Sequence, residues 1–212
     1  MEAYAANVYR HSHMTTQLVF ATNNPNKLAE ARQIVGESIQ ILSLEDIQCH
    51  IELPETHDTL EENALEKARF VSSMYGVNCF AEDTGLEVEA LGGEPGVYSA
   101  RYAGPDKSSS DNIALLLKKM EGKTHRKARF RTVIALILEG KEYVFEGVIT
   151  GDIAEYPDGD WGFGYDPVFI PEGSSVSFAR MPPEVKNSKS HRRQALVKMM
   201  EFLKNNQSLS SS

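Results

Sequence analysis

The first half of the chain alternates short apolar runs with longer segments in which apolar residues recur every three or four positions. The short runs predict strands at residues 17–21, 39–43 and 77–81. The periodic segments predict helices at residues 25–35 and 60–75. Asn24 precedes Pro25, a pairing typical of a helix start, and Thr59 and Glu62 have the spacing of a capping box. This strand–helix alternation predicts an α/β fold.

The second half of the chain has a different pattern. We predict a glycine-containing loop, a helix, a β-hairpin turning at Glu139-Gly140, a second glycine-rich segment and a C-terminal helix capped by Ser190. These elements span residues 91–104, 109–122, 129–153, 158–164 and 190–204. A mixed β-sheet with flanking helices is expected, as one domain over 17–204 whose two lobes enclose a cleft.

The composition of the chain disfavours several classes of function. The 212 residues carry a net charge of −8 with a pI near 5.3, which disfavours a nucleic-acid or anionic-membrane partner. The longest aliphatic run, Val133–Leu138, is six residues, far short of the roughly 20 that span a bilayer. Two cysteines without scaffold spacing and a polar start favour a reduced, cytoplasmic protein. Residues 1–16 are interpreted as a disordered leader or cloning remnant, and 205–212 as a flexible tail.

The segment Thr22-Asn23-Asn24-Pro25-Asn26-Lys27 is the first candidate site. A strand, a turn of small polar residues and a helix N-terminus bring backbone N–H groups and a lysine to one point. That combination suits a phosphate group, although the P-loop pattern is absent. An ordinary capped helix start is the alternative reading.

Carboxylates and lysines provide the second candidate group. Glu82-Asp83-Thr84-Gly85 is expected at the end of a buried strand, where Asp83 could hold Mg²⁺ or accept a proton from water. An Asp-Thr-Gly turn without function is the alternative. Glu55 and Lys67 could reach a metal and a phosphate, or could simply be solvated charges.

Two later segments could recognise a ring. In Gly162-Phe163-Gly164-Tyr165-Asp166-Pro167 two glycines allow a close backbone approach, and the aromatic residue between them can stack on a ring. A glycine-rich bend is the alternative. Lys186, His191 and Arg192 gather at a helix start, the unfavourable end for cations, which suggests that they face a ligand. We expect the Arg192 guanidinium to stay hydrated until that ligand binds. The basic run Lys189, His191, Arg192 and Arg193 could equally be a solvated cap.

An ordered set of motifs resembles one family, the inosine triphosphate pyrophosphatases. The motifs are TNNPNK at 22–27, ENA with KA at 62–68, EDTGL at 82–86, PGVYSARY at 95–102, FGYDP at 163–167 and SHR at 190–192. The resemblance covers roughly residues 17–204. Bacterial members often have Asp-Asp-Ser-Gly where this chain has Glu82-Asp83-Thr84-Gly85, a change that keeps the acidic and hydroxyl chemistry.

The resemblance implies an elongated mixed α/β fold, a homodimer and Mg²⁺-dependent hydrolysis of ITP, dITP and XTP to the monophosphate and pyrophosphate. Such hydrolysis prevents incorporation of deaminated purines into DNA and RNA. Glu55 and Asp83 match the family's metal carboxylates, and Asp83 also matches its proton acceptor. The implied substrate-binding residues are Thr22, Asn23, Asn24, Pro25, Asn26, Lys27, Lys67, Thr84, Phe163, Gly164, Tyr165, Asp166, Lys186, His191 and Arg192. A pyrophosphatase for modified pyrimidines and a nucleotide sensor without turnover are the alternatives.

Overall fold

The structure is a computed structural model that describes residues 16–209. Within these residues seven strands form one mixed sheet in the order β2-β1-β3-β5-β6-β7, and β4 also pairs with β3. The strands are β1 (Thr16–Phe20), β2 (Ile39–Leu42), β3 (Cys79–Val88), β4 (Pro95–Gly96), β5 (Lys127–Leu138), β6 (Lys141–Ile153) and β7 (Phe169–Pro171). β1 is parallel to β2 and β3, and the remaining pairs are antiparallel. The predicted mixed α/β fold is confirmed.

Five α-helices accompany the described part of this sheet. They are α1 (Pro25–Val35), α2 (Leu60–Tyr75), α3 (Ser109–Lys119), α4 (Pro183–Asn187) and α5 (His191–Leu209). The predicted caps are confirmed: Asn24 accepts from the backbone N–H groups of Asn26 and Lys27, and Thr59 accepts from that of Glu62. In this part of the chain no helix has the length and hydrophobicity needed to cross a bilayer.

The predicted end of the third strand is wrong. β3 does not turn at Glu82–Gly85 but continues to Val88, because it exchanges one partner for another. Its first residues pair with β1, up to Phe80, while the whole strand pairs with β5 from Cys79 to Val88. The two acidic residues therefore lie within the sheet, just beyond the point where β1 ends.

The expected terminal segments lie mostly outside the described residues. Of the leader expected at 1–16, only Thr16 is described, and it begins β1. Of the tail expected at 205–212, residues 205–209 are described and continue α5. The first strand therefore begins and ends one residue earlier than the apolar pattern indicates, and the last helix is longer than predicted.

Apolar residues form three clusters around the sheet. One packs α2 against one face, and a second packs α1 and α5 against the opposite face. The third lies farther along β3 and β5 and includes Leu116 of α3. Between the first two clusters and the third, polar groups replace apolar ones, and the candidate site lies there.

The N-terminus of α5 lies directly on β6 because Gly147 has no side chain. A Cβ at Gly147 would come within 2.0 Å of the His191 carbonyl oxygen and 2.8 Å of the Ala195 nitrogen. Backbone atoms cannot yield as a flexible side chain can, so this approach requires glycine. The contact fixes where His191 and Arg192 enter the molecule.

Candidate active site

A cavity of about 440 Å³ opens beyond the end of β1, beside the continuing strand β3. All of the site residues predicted from the sequence line it. They are Thr22, Asn23, Asn24, Pro25, Asn26, Lys27, Glu55, Lys67, Asp83, Thr84, Phe163, Gly164, Tyr165, Asp166, Lys186, His191 and Arg192. Segments separated by up to 170 positions thus converge on one space, whose size suits a small-molecule ligand.

The start of α1 forms one end of the cavity. Asn24 uses its side-chain oxygen to cap the helix, and Thr22 accepts a hydrogen bond from the Asn24 backbone at 3.1 Å. Asn23 ties this loop to the neighbouring segment, accepting from Leu53 N at 2.9 Å and donating to Ile51 O at 3.1 Å. These side chains hold the loop rigid, so the positive end of the helix points at a fixed position.

Lys67 lies between the two predicted metal carboxylates. Its ammonium group donates to Glu55 Oε1 at 2.6 Å and to the Glu82 carbonyl oxygen at 2.8 Å, and it lies 3.7 Å from Asp83 Oδ1. Glu55 also faces Arg101 at 3.7 Å. The position of Lys67 on the buried face of α2 explains how a lysine reaches the interior.

The surroundings of Asp83, Glu55 and Lys67 shift the pKa values of these three side chains in different directions. Burial raises the pKa of Asp83 above its usual range despite the nearby lysines. Burial alone would raise the pKa of Glu55, but Lys67, together with Lys27 and Lys107, outweighs it and lowers that pKa. Although burial disfavours its charge, Asp83 and Glu55 raise the pKa of Lys67, which stays protonated. Asp83 is therefore the carboxylate closer to the pH range in which it can take up a proton.

Glu82 pairs with cations from both ends of the cavity. Its carboxylate lies 3.2 Å from Lys27 Nζ and accepts from Arg192 Nε at 2.8 Å and Nη2 at 2.7 Å. Burial opposes ionisation, but Arg192 and Lys27 hold the pKa of Glu82 well below its usual range. Its side chain is thus a fully buried anion compensated on two sides, the arrangement that a buried charge requires.

The expectation that Lys186 and Arg192 share a helix start is wrong for Lys186, which lies in the last turn of α4, whereas Arg192 lies in the first turn of α5. Arg192 is also not hydrated as we expected. Arg192 is 1% exposed, and besides its two bonds to Glu82 it donates through Nη1 to Glu30. Lys186, also buried, donates to Glu30 at 2.6 Å and to Asp166 at 2.6 Å. Internal carboxylates offset the unfavourable helix end for Arg192. The solvated-cap alternative is wrong for His191 and Arg192, which are buried, whereas Lys189 is exposed.

The opposite end of the cavity is formed by the loop at 162–166. Asp166 accepts from the Phe163 backbone N–H at 2.9 Å, and the Phe163 ring lies 4.9 Å from Lys186 Nζ. Gly162 permits this turn, since a Cβ there would lie 2.0 Å from Asp166 Oδ2. Tyr165 donates through its hydroxyl to the Ser99 carbonyl oxygen at 2.7 Å. An aromatic ring with a cation beside it is thereby held in a fixed orientation.

His191 lines the cavity as a neutral side chain. Its ring stacks on Phe130 with centroids 4.7 Å apart, and burial, together with Arg192 and Lys186, holds its pKa well below 6.5. Nδ1 is buried and has no hydrogen-bond partner within the described residues. A buried polar atom without a partner is costly, so a ligand group that bonded it would gain affinity.

A protein-only metal centre is not present among residues 16–209, where no three His, Cys, Asp or Glu side chains converge. Glu55 and Asp83 nevertheless present two hard oxygen donors to the same cavity. Mg²⁺ is commonly held by one or two carboxylates together with substrate phosphates and water. The donor set therefore fits Mg²⁺ brought in with a phosphorylated ligand.

Sequence reasoning missed several residues of this site. Glu30 lies one turn after Lys27 on α1, and its ion pairs with Lys186 and Arg192 join residues more than 150 positions apart. Asn63 lies one turn before Lys67, and its amide reaches Asp83. Asn63 belongs to the ENA motif that carries the resemblance, and its polar side chain on the otherwise apolar face of α2 was a further signal, but no role was assigned to it. No local signal identifies Glu30.

Comparison with known proteins assigns the family. The model of the Ham1 family matches residues 18–202. A dITP/XTP pyrophosphatase from Flavobacterium johnsoniae is 54% identical over 187 residues, which cover 88% of this chain and 97% of the relative. A dITP/XTP pyrophosphatase from Porphyromonas gingivalis is 53% identical, with 88% and 97% coverage. Sequence similarity thus extends through every segment that lines the cavity.

Solved structures agree with this. The Staphylococcus aureus Ham1 protein is 36% identical with a TM-score of 0.81, covering 90% of this chain and all of that one. A nucleoside-triphosphatase / dITP/XTP pyrophosphatase from Mycobacterium abscessus is 41% identical with a TM-score of 0.70, covering 87% and 98%.

Proposed function

The chain belongs to the Ham1 family, and from that membership we propose that it is a nucleoside triphosphate pyrophosphatase acting on dITP, XTP and ITP. The proposed reaction adds water across the bond between the α- and β-phosphates and yields the nucleoside monophosphate and pyrophosphate. Its cellular consequence is that deaminated purines are removed before they enter DNA or RNA. One observation carries the proposal: a single cavity joins a phosphate-type helix start to an aromatic, cation-lined end.

The phosphates fit the end formed by α1. The helix N-terminus and Lys27 supply a partial and a full positive charge, and Lys67 supplies another next to Asp83. We propose that Lys27 and Lys67 stabilise the negative charge that develops on the departing pyrophosphate. Both lysines already have internal carboxylate partners, which keep them charged and correctly placed before the substrate arrives.

Glu55 and Asp83 are proposed to hold Mg²⁺. When bound, Mg²⁺ would neutralise phosphate charge and polarise the α-phosphorus. Asp83 is proposed to accept the proton of the attacking water. Before a cation binds, the pKa of Asp83 is raised and that of Glu55 is lowered, so Asp83 is the better proton acceptor of the two carboxylates.

The base fits between Phe163 and the cations near α5. The Phe163 ring can stack on a purine, while Lys186, Arg192 and His191 can bond to its edge. Three of the five Arg192 N–H groups are used by Glu82 and Glu30, which leaves two for a ligand. Hypoxanthine and xanthine present a C6 carbonyl acceptor, whereas adenine presents an amino donor. Each unmatched buried group costs about 1–3 kcal/mol, roughly a 5- to 150-fold preference.

Assembly and location are also proposed from the resemblance to the family. We propose a homodimer in the cytoplasm, with no nucleic-acid or membrane partner. The net charge of −8 supports the last point, since both of those partners attract basic surfaces. Light scattering on the purified chain tests the assembly. A dimer of two 23.6 kDa chains would have a mass near 47 kDa.

A nucleotide panel tests the proposed function. Initial rates of pyrophosphate release are measured with dITP, XTP, ITP, dATP, GTP and dUTP in Mg²⁺. The proposal requires kcat/KM for dITP and XTP to exceed that for dATP by at least about 5-fold. A preference for dUTP would favour a pyrimidine pyrophosphatase, and tight binding without turnover would favour a sensor. Asp152→Asn, which changes an exposed carboxylate on β6, provides a control with unchanged rates.

A further inference from the structure

Asn63 is a fully buried amide with no role in the reaction as described above. It lies on the face of α2 that packs against the sheet, among Leu60, Ala64 and Ala68. Asparagine is a poor helix former, and a buried polar side chain is retained only where its hydrogen bonds are made. The contacts of this amide therefore indicate why it is present.

The Asn63 amide makes three hydrogen bonds to two separate segments. Its Oδ1 accepts from the His57 backbone N–H at 2.9 Å, and its Nδ2 donates to the His57 carbonyl oxygen at 3.1 Å. The same Nδ2 donates to Asp83 Oδ2 at 3.3 Å. One side chain thus connects the segment that carries Glu55 with the carboxylate on β3.

Lys67 makes a parallel connection one helical turn later. It bonds to Glu55 and lies close to Asp83, as described above, and residues four positions apart share a helix face. Asn63 and Lys67 therefore form two adjacent links between the same pair of segments. The charged ammonium group of Lys67 would also bind a phosphate. The amide of Asn63 is neutral and has no charge to offer a phosphate, so its contacts serve the two segments.

We propose that Asn63 is a positioning residue that fixes Glu55 and Asp83 relative to each other, and so defines the two-carboxylate cation site. This inference rests on the proposed function, because it takes Glu55 and Asp83 as the cation ligands. Groups that orient ligands from outside the coordination sphere typically contribute about 10- to 100-fold to metal affinity or activity. An Asn63 variant should therefore lose cation affinity while its nucleotide contacts remain.

The chain offers a matched control in Glu66. It holds the same segment by two bonds, accepting from Thr56 N at 2.9 Å and from Thr56 Oγ1 at 2.8 Å. These bonds reach the segment without involving Asp83. Glu66→Ala therefore loosens the segment to a similar extent but leaves the link to β3 in place.

The experiment compares Asn63→Leu, Asn63→Ala and Glu66→Ala with the wild-type chain. Leucine has nearly the shape of asparagine, so Asn63→Leu removes the hydrogen bonds without opening a cavity. Free Mn²⁺ is counted by electron paramagnetic resonance with and without dITP, and the Mg²⁺ dependence of pyrophosphate release is measured. We expect Asn63→Leu to weaken Mn²⁺ binding and raise the half-saturating Mg²⁺ concentration by about 10-fold or more. In Asn63→Leu, the KM for dITP at saturating Mg²⁺ should change little. In Glu66→Ala, neither the Mn²⁺ affinity nor the half-saturating Mg²⁺ concentration should change much.

The outcomes separate this inference from the proposed function. If the wild-type chain releases no pyrophosphate, the proposed function is wrong, and Mn²⁺ binding alone then decides the role of Asn63. Equal Mn²⁺ affinity in wild type and in a folded Asn63 variant overturns the inference, as does an equal loss in Glu66→Ala. Absence of any Mn²⁺ binding by the wild-type chain overturns it as well.

A measurement on the wild-type chain applies if neither Asn63 variant folds. The side-chain amide protons of Asn63 are assigned by nitrogen-15 NMR. We expect them to exchange slowly with solvent and to shift on addition of Mg²⁺ with dITP. Rapid exchange, or no shift when the resonances of Asp83 move, overturns the positioning role.

Discussion

Arg192 donates two parallel hydrogen bonds to Glu82, one to each carboxylate oxygen, at 2.8 and 2.7 Å. Both side chains are buried, and Glu82 also faces Lys27 at 3.2 Å. On its other side Arg192 reaches Glu30, which bonds Lys186. Alternating charges therefore run without a break along the cavity, from the helix start that suits phosphate to the ring that suits a base.

Replacing Arg192 should destabilise the fold. Arg192→Ala leaves Glu82 buried with one cation fewer, and breaking a buried pair typically costs about 3–5 kcal/mol. Arg192→Lys should recover little of this, because lysine cannot make the paired contact. Urea unfolding gives the free energy of unfolding for each variant. Arg193→Ala, at the next position, is the control, and equal losses at both positions would contradict the assignment.

Asp83→Asn should abolish turnover and keep the fold. Asparagine has nearly the same shape, but it cannot take a proton and is a weaker ligand for a hard cation. The rate of pyrophosphate release should fall by about 10²- to 10⁴-fold, the usual range for loss of a general base. The melting temperature is measured on the same samples. A variant that keeps near wild-type rates would exclude Asp83 as the proton acceptor.

Removal of divalent cations should stop the reaction reversibly. Excess chelator removes the cation from Glu55 and Asp83, so the rate of pyrophosphate release should fall to background. Added Mg²⁺ should restore that rate fully. Glu55→Gln should raise the Mg²⁺ concentration for half-maximal rate, because an amide oxygen lacks the carboxylate charge. The measurement is a Mg²⁺ titration at fixed dITP. Full activity in chelator would contradict a two-carboxylate cation site.

Acid should destabilise the chain through His191. Its pKa in the folded chain lies well below 6.5 because it is buried near two cations. Below pH 6.5 the unfolded chain therefore binds a proton that the folded chain excludes. The contribution of His191 to stability is complete above pH 6.5 and falls by about 1.4 kcal/mol per pH unit below it, down to the folded pKa.

Unfolding measured from pH 5 to pH 8 checks this slope. His191→Gln should lose the corresponding part of the pH dependence, whereas His50→Gln, at an exposed position, should keep it. Identical slopes in wild type and His191→Gln would show that His191 does not cause the acid sensitivity.

Local rules account for the elements that the sequence predicted correctly. Asn24 and Thr59 cap α1 and α2 because capping involves residues only two or three positions apart. The convergence of the site motifs was anticipated through family resemblance, since spacing alone left an ordinary explanation for each motif.

Long-range partners account for what the sequence did not predict. The segment after Ala81 looks like a turn by composition, yet its pairing with β5 keeps it extended. The ion pairs of Glu30 with Lys186 and Arg192 span 156 and 162 positions, so no local pattern contains them. Because of these pairs, the Arg192 guanidinium, which was expected to be hydrated, is buried.

The position of the cleaved bond distinguishes pyrophosphate release from other hydrolyses of the triphosphate. The wild-type chain is incubated with dITP and Mg²⁺ in oxygen-18 water, and the products are separated and analysed by mass spectrometry and phosphorus NMR. The account predicts dIMP and pyrophosphate in equal amounts, with one oxygen-18 atom in dIMP and none in pyrophosphate. Label in the pyrophosphate, or stepwise release of inorganic phosphate, would contradict attack at the α-phosphorus.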